Sequence, residues 1–340
     1  MRIVSQPATL PPDVHNSVQQ VLLAAPRGYC AGVLRAVQTV ERALQLHGPP
    51  VYVRREIVHN KRVVEQLREQ GAIFVEQETE IPQGAIAVFS AHGVAPSVRE
   101  NAQGLGLRTI DATCPLVTKV HREALRFAQD GYTIVLVGHE GHEEVEGTMG
   151  EAPEHIVLVQ SEEDVDALAI EDPERVAYVT QTTLSVEETG AIVARLKERF
   201  PAITGPRTDD ICYATTNRQM AVKELAGKCD LLLVLGSRNS SNSLRLVEVA
   251  RLCGTESHLI DDKTEVREEW LAGKRVVGIS SGASAPESLV EDLVDFFRAR
   301  GVSDVSTLLT VSEDVRFMLP KEIRAVVPAA RETVPAGGDS

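Results

Sequence analysis

The chain lacks any apolar run of the roughly 18–20 residues that a membrane-spanning helix requires, so no membrane partner is expected. It also lacks an excess of positive charge, since 35 Lys and Arg face 49 Asp and Glu, a formal net charge of −14. That balance opposes general nucleic-acid binding, which depends on neutralising phosphates. An anionic small molecule stays open, because local donors outweigh global charge inside a pocket. The opening MRIVSQPATLPPDVHNS has neither the charged-then-apolar pattern of a secretory leader nor the Arg-rich pattern of a transit peptide. Residues 1–20 therefore read as a loose extension of a cytoplasmic protein. No closely spaced cysteine pair occurs, which argues against a structural zinc site. Five cysteines, an odd number without a leader, fit a reducing compartment rather than a disulfide framework.

What is present is an ordinary globular composition, 43% hydrophobic over 340 residues, enough for two or three modest domains. Three cysteines stand out. Cys30 in APRGYCAGVLRAV, Cys114 in TIDATCPLVTKV and Cys212 in TDDICYATTNRQM each lie between a strand-like run and a helix start, 84 and 98 residues apart. A helix N-terminus presents unpaired N–H groups and a positive dipole end, so thiolates are expected there. Cys229 and Cys253, at helix ends beside apolar runs, read as packed thiols.

The surroundings of the cysteines repeat as well. An amphipathic helix follows each; in the first, Val33, Val37, Val40 and Leu44 share a face, and Gly48-Pro49 ends it. A second apolar run (VYVRREIV, TIVLVG, LLLVLG) then opens into a polar loop at 59–61, 139–144 or 237–243. A third run (AIAVFS, RVAYVT, RVVGIS) opens into loops at 91–97, 181–185 and 281–288. His59, His142 and Asn242 are 83 and 100 residues apart; His92, Thr182 and Ser284 are 90 and 102 apart. These gaps track the cysteine gaps, so the repeat is structural.

Strands alternating with helices imply parallel sheets whose loops gather at the C-terminal strand edges. The expected fold class is thus α/β, with three similar parallel-sheet units in pseudo-threefold arrangement around one central cavity. The expected division is 1–20 extension, 21–112 first unit, 113–211 second unit, 212–310 third unit, and 311–340 a C-terminal segment with a mobile tail. Whether the strand near 20–27 pairs with the last unit's sheet is open from sequence.

Three thiolates with an open position fit either a zinc ion carrying water or an iron–sulfur cubane with one free iron. His59, His92 and His142, with Ser240, Ser241, Asn242 and Ser284, supply imidazole, hydroxyl and amide donors without a Lys or Arg clamp, a set suited to a diphosphate. Glu144, in the same loop as His142, could deliver a proton into the cavity, but its neighbours Glu140, Glu143 and Glu146 fit a solvated acidic loop equally, and chemistry alone does not single it out. His15, His47, His121, His155 and His258 lie in the extension, on helices or in connections and are expected to have no chemical role. HEGH at 139–142 is not the HExxH zinc motif, its histidines being three apart rather than four.

The strings RGYCAGVLRAV, EIVHNKRVVEQL, AHGVAP, DATCPLVTKVH, GTMG, TQTTLS, ICYATTNRQ, NSSNSLRL and GASAPE, in that order from about Val21 to about Arg324, resemble the LytB family of 4-hydroxy-3-methylbut-2-enyl diphosphate reductases. The resemblance implies a central [4Fe–4S] cluster with three cysteine ligands, Cys30, Cys114 and Cys212, and one open iron for the substrate oxygen. It implies reductive loss of an allylic hydroxyl to give isopentenyl and dimethylallyl diphosphate, completing the non-mevalonate isoprenoid route. By the same resemblance His59, His92, His142, Ser240, Ser241, Asn242 and Ser284 hold the diphosphate, Thr182 lies near the substrate hydroxyl and Glu144 feeds the proton relay. A small ferredoxin or flavodoxin is the implied electron donor. Two departures are visible: Glu143 where the family often has proline, expected to loosen that turn slightly, and Tyr29 in place of a common Phe. Neither is expected to touch a matched ligand or acid. Rival readings are a zinc hydrolase of a phosphorylated compound, its metal held by the three cysteines, and an iron–sulfur redox sensor.

Overall fold

The computed structural model describes residues 17–324. Most of the expected N-terminal extension and the whole expected mobile tail lie outside that range. Among the described residues no helix is long and apolar enough to cross a membrane.

Three fully parallel sheets form. The first is built from β2 (Val51–Arg54), β3 (Ala72–Val75), β4 (Ile86–Phe89) and β5 (Arg108–Asp111), in the order β3-β2-β4-β5. The second holds β6 (Thr133–Val137), β7 (Ile156–Val159) and β8 (Val176–Thr180), in the order β7-β6-β8. A parallel bridge from Ala177 to Thr204 adds a rudimentary fourth strand beside β8. The third sheet runs β10-β9-β11-β1-β12, from β1 (Gln20–Ala25), β9 (Leu231–Leu235), β10 (Glu256–Ile260), β11 (Val276–Ser281) and β12 (Asp304–Leu309). Leu22 lies opposite Gly278 on one side and Ser306 on the other.

That register answers what the sequence left open. β1 falls inside the expected first unit, 21–112, yet its hydrogen bonds lie in the third sheet. The edges at 112/113 and 211/212 do fall in loops, just before Cys114 and Cys212.

Strands covered on both faces read as apolar runs rather than alternating patterns. β9 (LLLVL) and β4 (IAVF) are buried at every position. In the third sheet Leu231, Leu233 and Leu235 pack against α11 (Glu287–Arg298) on one face. Leu232 and Val234 pack against α8 (Tyr213–Ala226) and α9 (Ser241–Leu252) on the other. The first sheet packs α1 (Ala31–His47) through Ala36, Val37, Val40 and Leu44, and the second packs α4 (Pro115–Gln129) through Val120, Ala124 and Phe127. Gly48 at φ 74° ends α1, its N–H donating to the Leu44 carbonyl. Cys229 is packed under the third sheet as expected, but Cys253, at the C-cap of α9, is exposed. Its neighbour Leu252 is exposed with it, so the last turn of α9 faces outward.

Each cysteine is the N-cap residue of its helix: Cys30 of α1, Cys114 of α4, Cys212 of α8. One to two turns into each helix stands a cation that reaches the loop preceding the next cysteine. Arg35 donates to the Thr113 carbonyl at 2.9 Å and the Asp111 carbonyl at 3.3 Å. Lys119 donates to the Asp209 carbonyl at 3.1 Å and to the Asp210 carboxylate at 3.0 Å. Arg218 donates to the Gly28 carbonyl at 2.8 Å, returning to the loop before Cys30. The three contacts close a ring. The segment after β12 reinforces it: Glu313 pairs with Arg218 at 3.0 Å, and the Met318 carbonyl accepts from Arg35 at 2.9 Å.

Arg218 is 0% exposed. Truncating one partner of such a buried ionic contact costs about 3–5 kcal/mol, against under about 1 kcal/mol for an exposed pair. Arg218→Met should therefore lower the urea midpoint several times more than Arg195→Ala, which removes the exposed partner of Asp166. Equal shifts for the two variants would mean the ring contact adds nothing to stability.

Candidate active site

The nine loops at the C-terminal sheet edges converge on one cavity of about 670 Å³, counted to its open mouth. Cys30, Cys114 and Cys212 line it, as do His59, His92, His142, Glu144, Thr182, Ser240, Ser241, Asn242 and Ser284. Every residue singled out in the sequence as a ligand, donor or acid thus reaches the same space. The remaining lining is mostly apolar, including Val33, Val58, Leu116 and Val117, with Thr183 and Thr215 adding hydroxyls.

The cysteines are held by their own backbone as well as by the ring of cations. The Cys30 N–H donates to the Ala283 carbonyl, Cys114 to Ala91 and Cys212 to Thr182, at 3.2, 2.9 and 3.1 Å. Each acceptor lies in the loop after the third strand of a unit, so the repeat extends to main-chain contacts. Gly32, in the first turn of α1, leaves the space between thiols open: a Cβ there would lie 2.7 Å from Cys114 Sγ. All three are free cysteines, so the donor set is three thiols without a bridging disulfide. The ionisation of Cys114 and Cys212 departs from expectation. Burial pushes Cys114 up to about 12 and Cys212 up to about 11, with mutual repulsion among the cysteines adding to it. Backbone N–H groups of Leu116 and Val117 pull Cys114 back only in part. Desolvation outweighs the helix ends, and a bound cation is what would restore the thiolates.

The donor wall is assembled across units. The His59 and His92 rings stack at 4.0 Å between centroids, with His142 edge-on at 5.5 and 5.9 Å. His142 caps α5 (Glu143–Glu151), its Nδ1 accepting the Glu144 N–H at 3.2 Å. In the neutral ring this leaves Nε2–H as the donor. Burial, then repulsion from His92 and His59, lowers His142 to about 3; burial and repulsion from His92 likewise lower His59. Ser240 caps α9, and the Thr183 hydroxyl donates to Ser241 Oγ at 3.2 Å. Asn242 accepts the Ala283 N–H through Oδ1 at 2.8 Å, while its buried Nδ2 has no partner among the described residues. A buried, orphaned donor at a helix N-terminus is a demand for an anionic ligand.

Glu144 is 2% exposed and accepts from Thr182 twice, from N–H at 2.6 Å and from Oγ1 at 3.0 Å. Burial raises it to about 7 against those hydrogen bonds. An acid near neutrality, attached through Thr182 to the loop that holds Cys212, can store and release a proton beside the thiols.

Glu143 overturns an expectation. Its turn is capped rather than loosened, and its carboxylate lies 3.3 Å from both His92 Nδ1 and Ser90 Oγ. Sequence reasoning also passed over Glu56, 3.3 Å from His59 Nδ1, and Thr215, whose hydroxyl is 3.2 Å from Cys212 Sγ. Their only signal was closeness in sequence to a residue already chosen. His121 is buried against Glu151 at 2.8 Å and does not line the cavity.

Residues 21–298 match the family model described as LytB protein. The chain belongs to the LytB family. It is 59% identical over 308 residues to a 4-hydroxy-3-methylbut-2-enyl diphosphate reductase of Rhodococcus opacus, covering 90% of this chain and 92% of that one. It is 58% identical to the Nocardia farcinica protein of the same name, covering 91% and 92%. Among solved structures, the LytB chain resembles a diphosphate reductase of Plasmodium falciparum with TM-score 0.88 and 38% identity, over 90% of this chain and 97% of that one. It resembles a second, described as the terminal enzyme of the non-mevalonate pathway, with TM-score 0.61 and 33% identity, over 83% and 100%.

The raised carboxyl of Glu144 has a consequence for stability. A folded-state value above the ordinary one favours the folded protein at low pH, and that contribution is lost as pH rises from about 4.5 to about 7. Glu144→Gln keeps the shape and cannot ionise. Its stability relative to the wild type should therefore climb between about pH 5 and about pH 8 in paired urea titrations. A gap that stays constant with pH would contradict the assignment.

Proposed function

We propose that this chain is a 4-hydroxy-3-methylbut-2-enyl diphosphate reductase that catalyses the last step of the non-mevalonate route. The observation that carries the proposal is the meeting of three cysteine N-caps, a buried acid and an anion-seeking donor wall in one cavity. Family membership supports an iron–sulfur cluster, and Cys30, Cys114 and Cys212 are the residues that would hold it. The three thiols and the gap left by Gly32 fit such a group. When bound, the cluster supplies electrons and a Lewis-acidic iron. Electrons would come from a small ferredoxin or flavodoxin.

The reaction breaks the allylic C–O bond with two electrons and two protons. One proton leaves with the hydroxyl as water and the other adds to the allyl carbon. Glu144 is the proposed proton source and Thr182 the hydroxyl that orients the leaving oxygen. His59, His92, His142, Ser240, Ser241, Asn242 and Ser284 are the proposed diphosphate donors. Val33, Val58 and Leu116 would hold the five-carbon chain and exclude water. A zinc hydrolase has no need of a two-electron donor, and a redox sensor has no need of the donor wall.

The deciding assay is anaerobic, with the hydroxymethylbutenyl diphosphate substrate and a reduced viologen. Donor oxidation with isopentenyl and dimethylallyl diphosphate as products supports the reductase; an intact cluster without turnover supports the sensor, and a colourless zinc protein the hydrolase. Glu144→Gln should keep cluster and substrate binding while losing roughly 10²–10⁴-fold in turnover. Near-normal turnover would remove Glu144 from the relay. Cys114→Ser and Gly32→Ala should each lower iron and sulfide per chain, and full occupancy in Cys114→Ser would refute that ligand.

A further inference from the structure

We infer that Glu143 is a positioning residue for the diphosphate: its carboxylate holds the Nδ1 proton of His92, so that His92 meets the ligand doubly protonated. The inference rests on the reading of the cavity as a diphosphate site.

Glu143 belongs to the second unit, and Ser90 and His92 to the first. The Glu143 carboxylate crosses that boundary to reach both at 3.3 Å, with only 13% of its side chain exposed. From the loop after β2 it also faces His59, Arg55 and the Glu56 carboxylate, and on its own element it adjoins His142. Arg55 is committed to Glu146 at 2.7 Å. Burial alone would push the Glu143 carboxyl up. The hydrogen bond from His92 and the charges of His92, His59 and Arg55 instead bring it down to about 2. The carboxylate is therefore a fixed negative charge beside the donor wall.

A fixed anion there would repel a diphosphate unless a proton neutralises it. His92 has one nitrogen on Glu143, so only Nε2 is left for a ligand. In a neutral ring with its proton on Nδ1, Nε2 carries a lone pair, which repels a phosphate oxygen. In the doubly protonated ring, Nδ1–H stays on Glu143 and Nε2–H donates to phosphate, two charge-assisted hydrogen bonds from one side chain. Diphosphate binding should then draw in a proton, and Glu143 should extend tight binding to higher pH. Glu56 makes the equivalent contact with His59 at 3.3 Å and is itself held by Asn239 at 2.8 Å. The carboxylate contact thus recurs at His59, where burial and repulsion from His92 nonetheless disfavour a second proton on that ring.

The backbone permits a clean test. Glu143 is the first residue of α5, and its N–H makes no hydrogen bond among the described residues. His142 before it is extended, at φ −78° and ψ 135°. Proline suits such a first helical position, and an extended residue suits the position before it. Glu143→Pro therefore deletes the carboxylate with the cap retained, and Glu143→Gln deletes only the charge.

The experiment is calorimetric binding of inorganic diphosphate to the cluster-loaded full chain, in buffers free of divalent cations and of differing ionisation enthalpy, at about pH 6 and about pH 8. Both variants should bind roughly tenfold more weakly than wild type at the higher pH, the worth of about one charge-assisted hydrogen bond, and about equally at the lower. Wild type should take up more protons on binding at the higher pH than either variant. Equal or tighter binding by Glu143→Gln at both pH values would make Glu143 a tolerated repulsive charge and overturn the inference. Binding that requires added divalent cation would assign His59, His92 and Glu143, whose ligand atoms lie within 4.8 Å of one another, to a metal and also overturn it. Failure of the wild type to bind diphosphate at all would take down the diphosphate reading itself, and this inference with it.

Discussion

The structure depends on a cyclic relay of cations. Arg35, Lys119 and Arg218 each stand on a cysteine helix and each grip the loop before the next cysteine. No unit fixes its own thiol from both sides; the neighbour supplies the second restraint. A displacement of one unit must therefore displace the cysteine of the next. That constraint explains why a site of three distant residues can be geometrically defined without any pair of them being close in sequence. Long cationic side chains suit the task, since they span between units while their charge falls on backbone carbonyls that the turns leave unpaired.

Beside the cavity, adjacent residues of one helix turn have been driven to opposite states. Glu143 meets histidines and stays charged; Glu144 meets Thr182 and apolar burial and holds its proton to about neutrality. The separation arises because Glu143 crosses into the first unit while Glu144 turns into its own. One acid supplies a permanent charge and the other a transferable proton, a division of labour that environment alone imposes.

Much of this was legible in the chain. Apolar runs opening into polar loops at matched intervals announced parallel units, and the loop rule placed their polar residues on one edge. All the chosen residues do line one cavity, because loop position is a local property that strand–helix alternation determines. What escaped were the properties set by contacts between units. β1 is an apolar strand with no mark of its partner, and its neighbour β11 follows it by more than two hundred residues. Glu143 looked like a turn residue because its contact, His92, lies in another unit. The thiols looked ionised because a helix end is visible in sequence and the depth of burial is not. Cys253 looked packed because its apolar neighbours say nothing about which way the last turn faces.

The placement of β1 also bears on the order of events during synthesis. The strand that leads into Cys30 leaves the ribosome well before both its partners, β11 and β12, which follow it by more than two hundred residues. The first two sheets can be assembled from contiguous sequence; the third must wait for the C-terminal region to return to the beginning. Loop closure over such a distance is entropically the most demanding contact in the fold and a slow one. Until it occurs, Cys30 has no Ala283 carbonyl to receive its N–H and no Arg218 to hold its loop. The cavity therefore forms only after β11 and β12 have returned to β1, and a metallocentre that needs all three thiols can mature only on a chain made at least as far as β12.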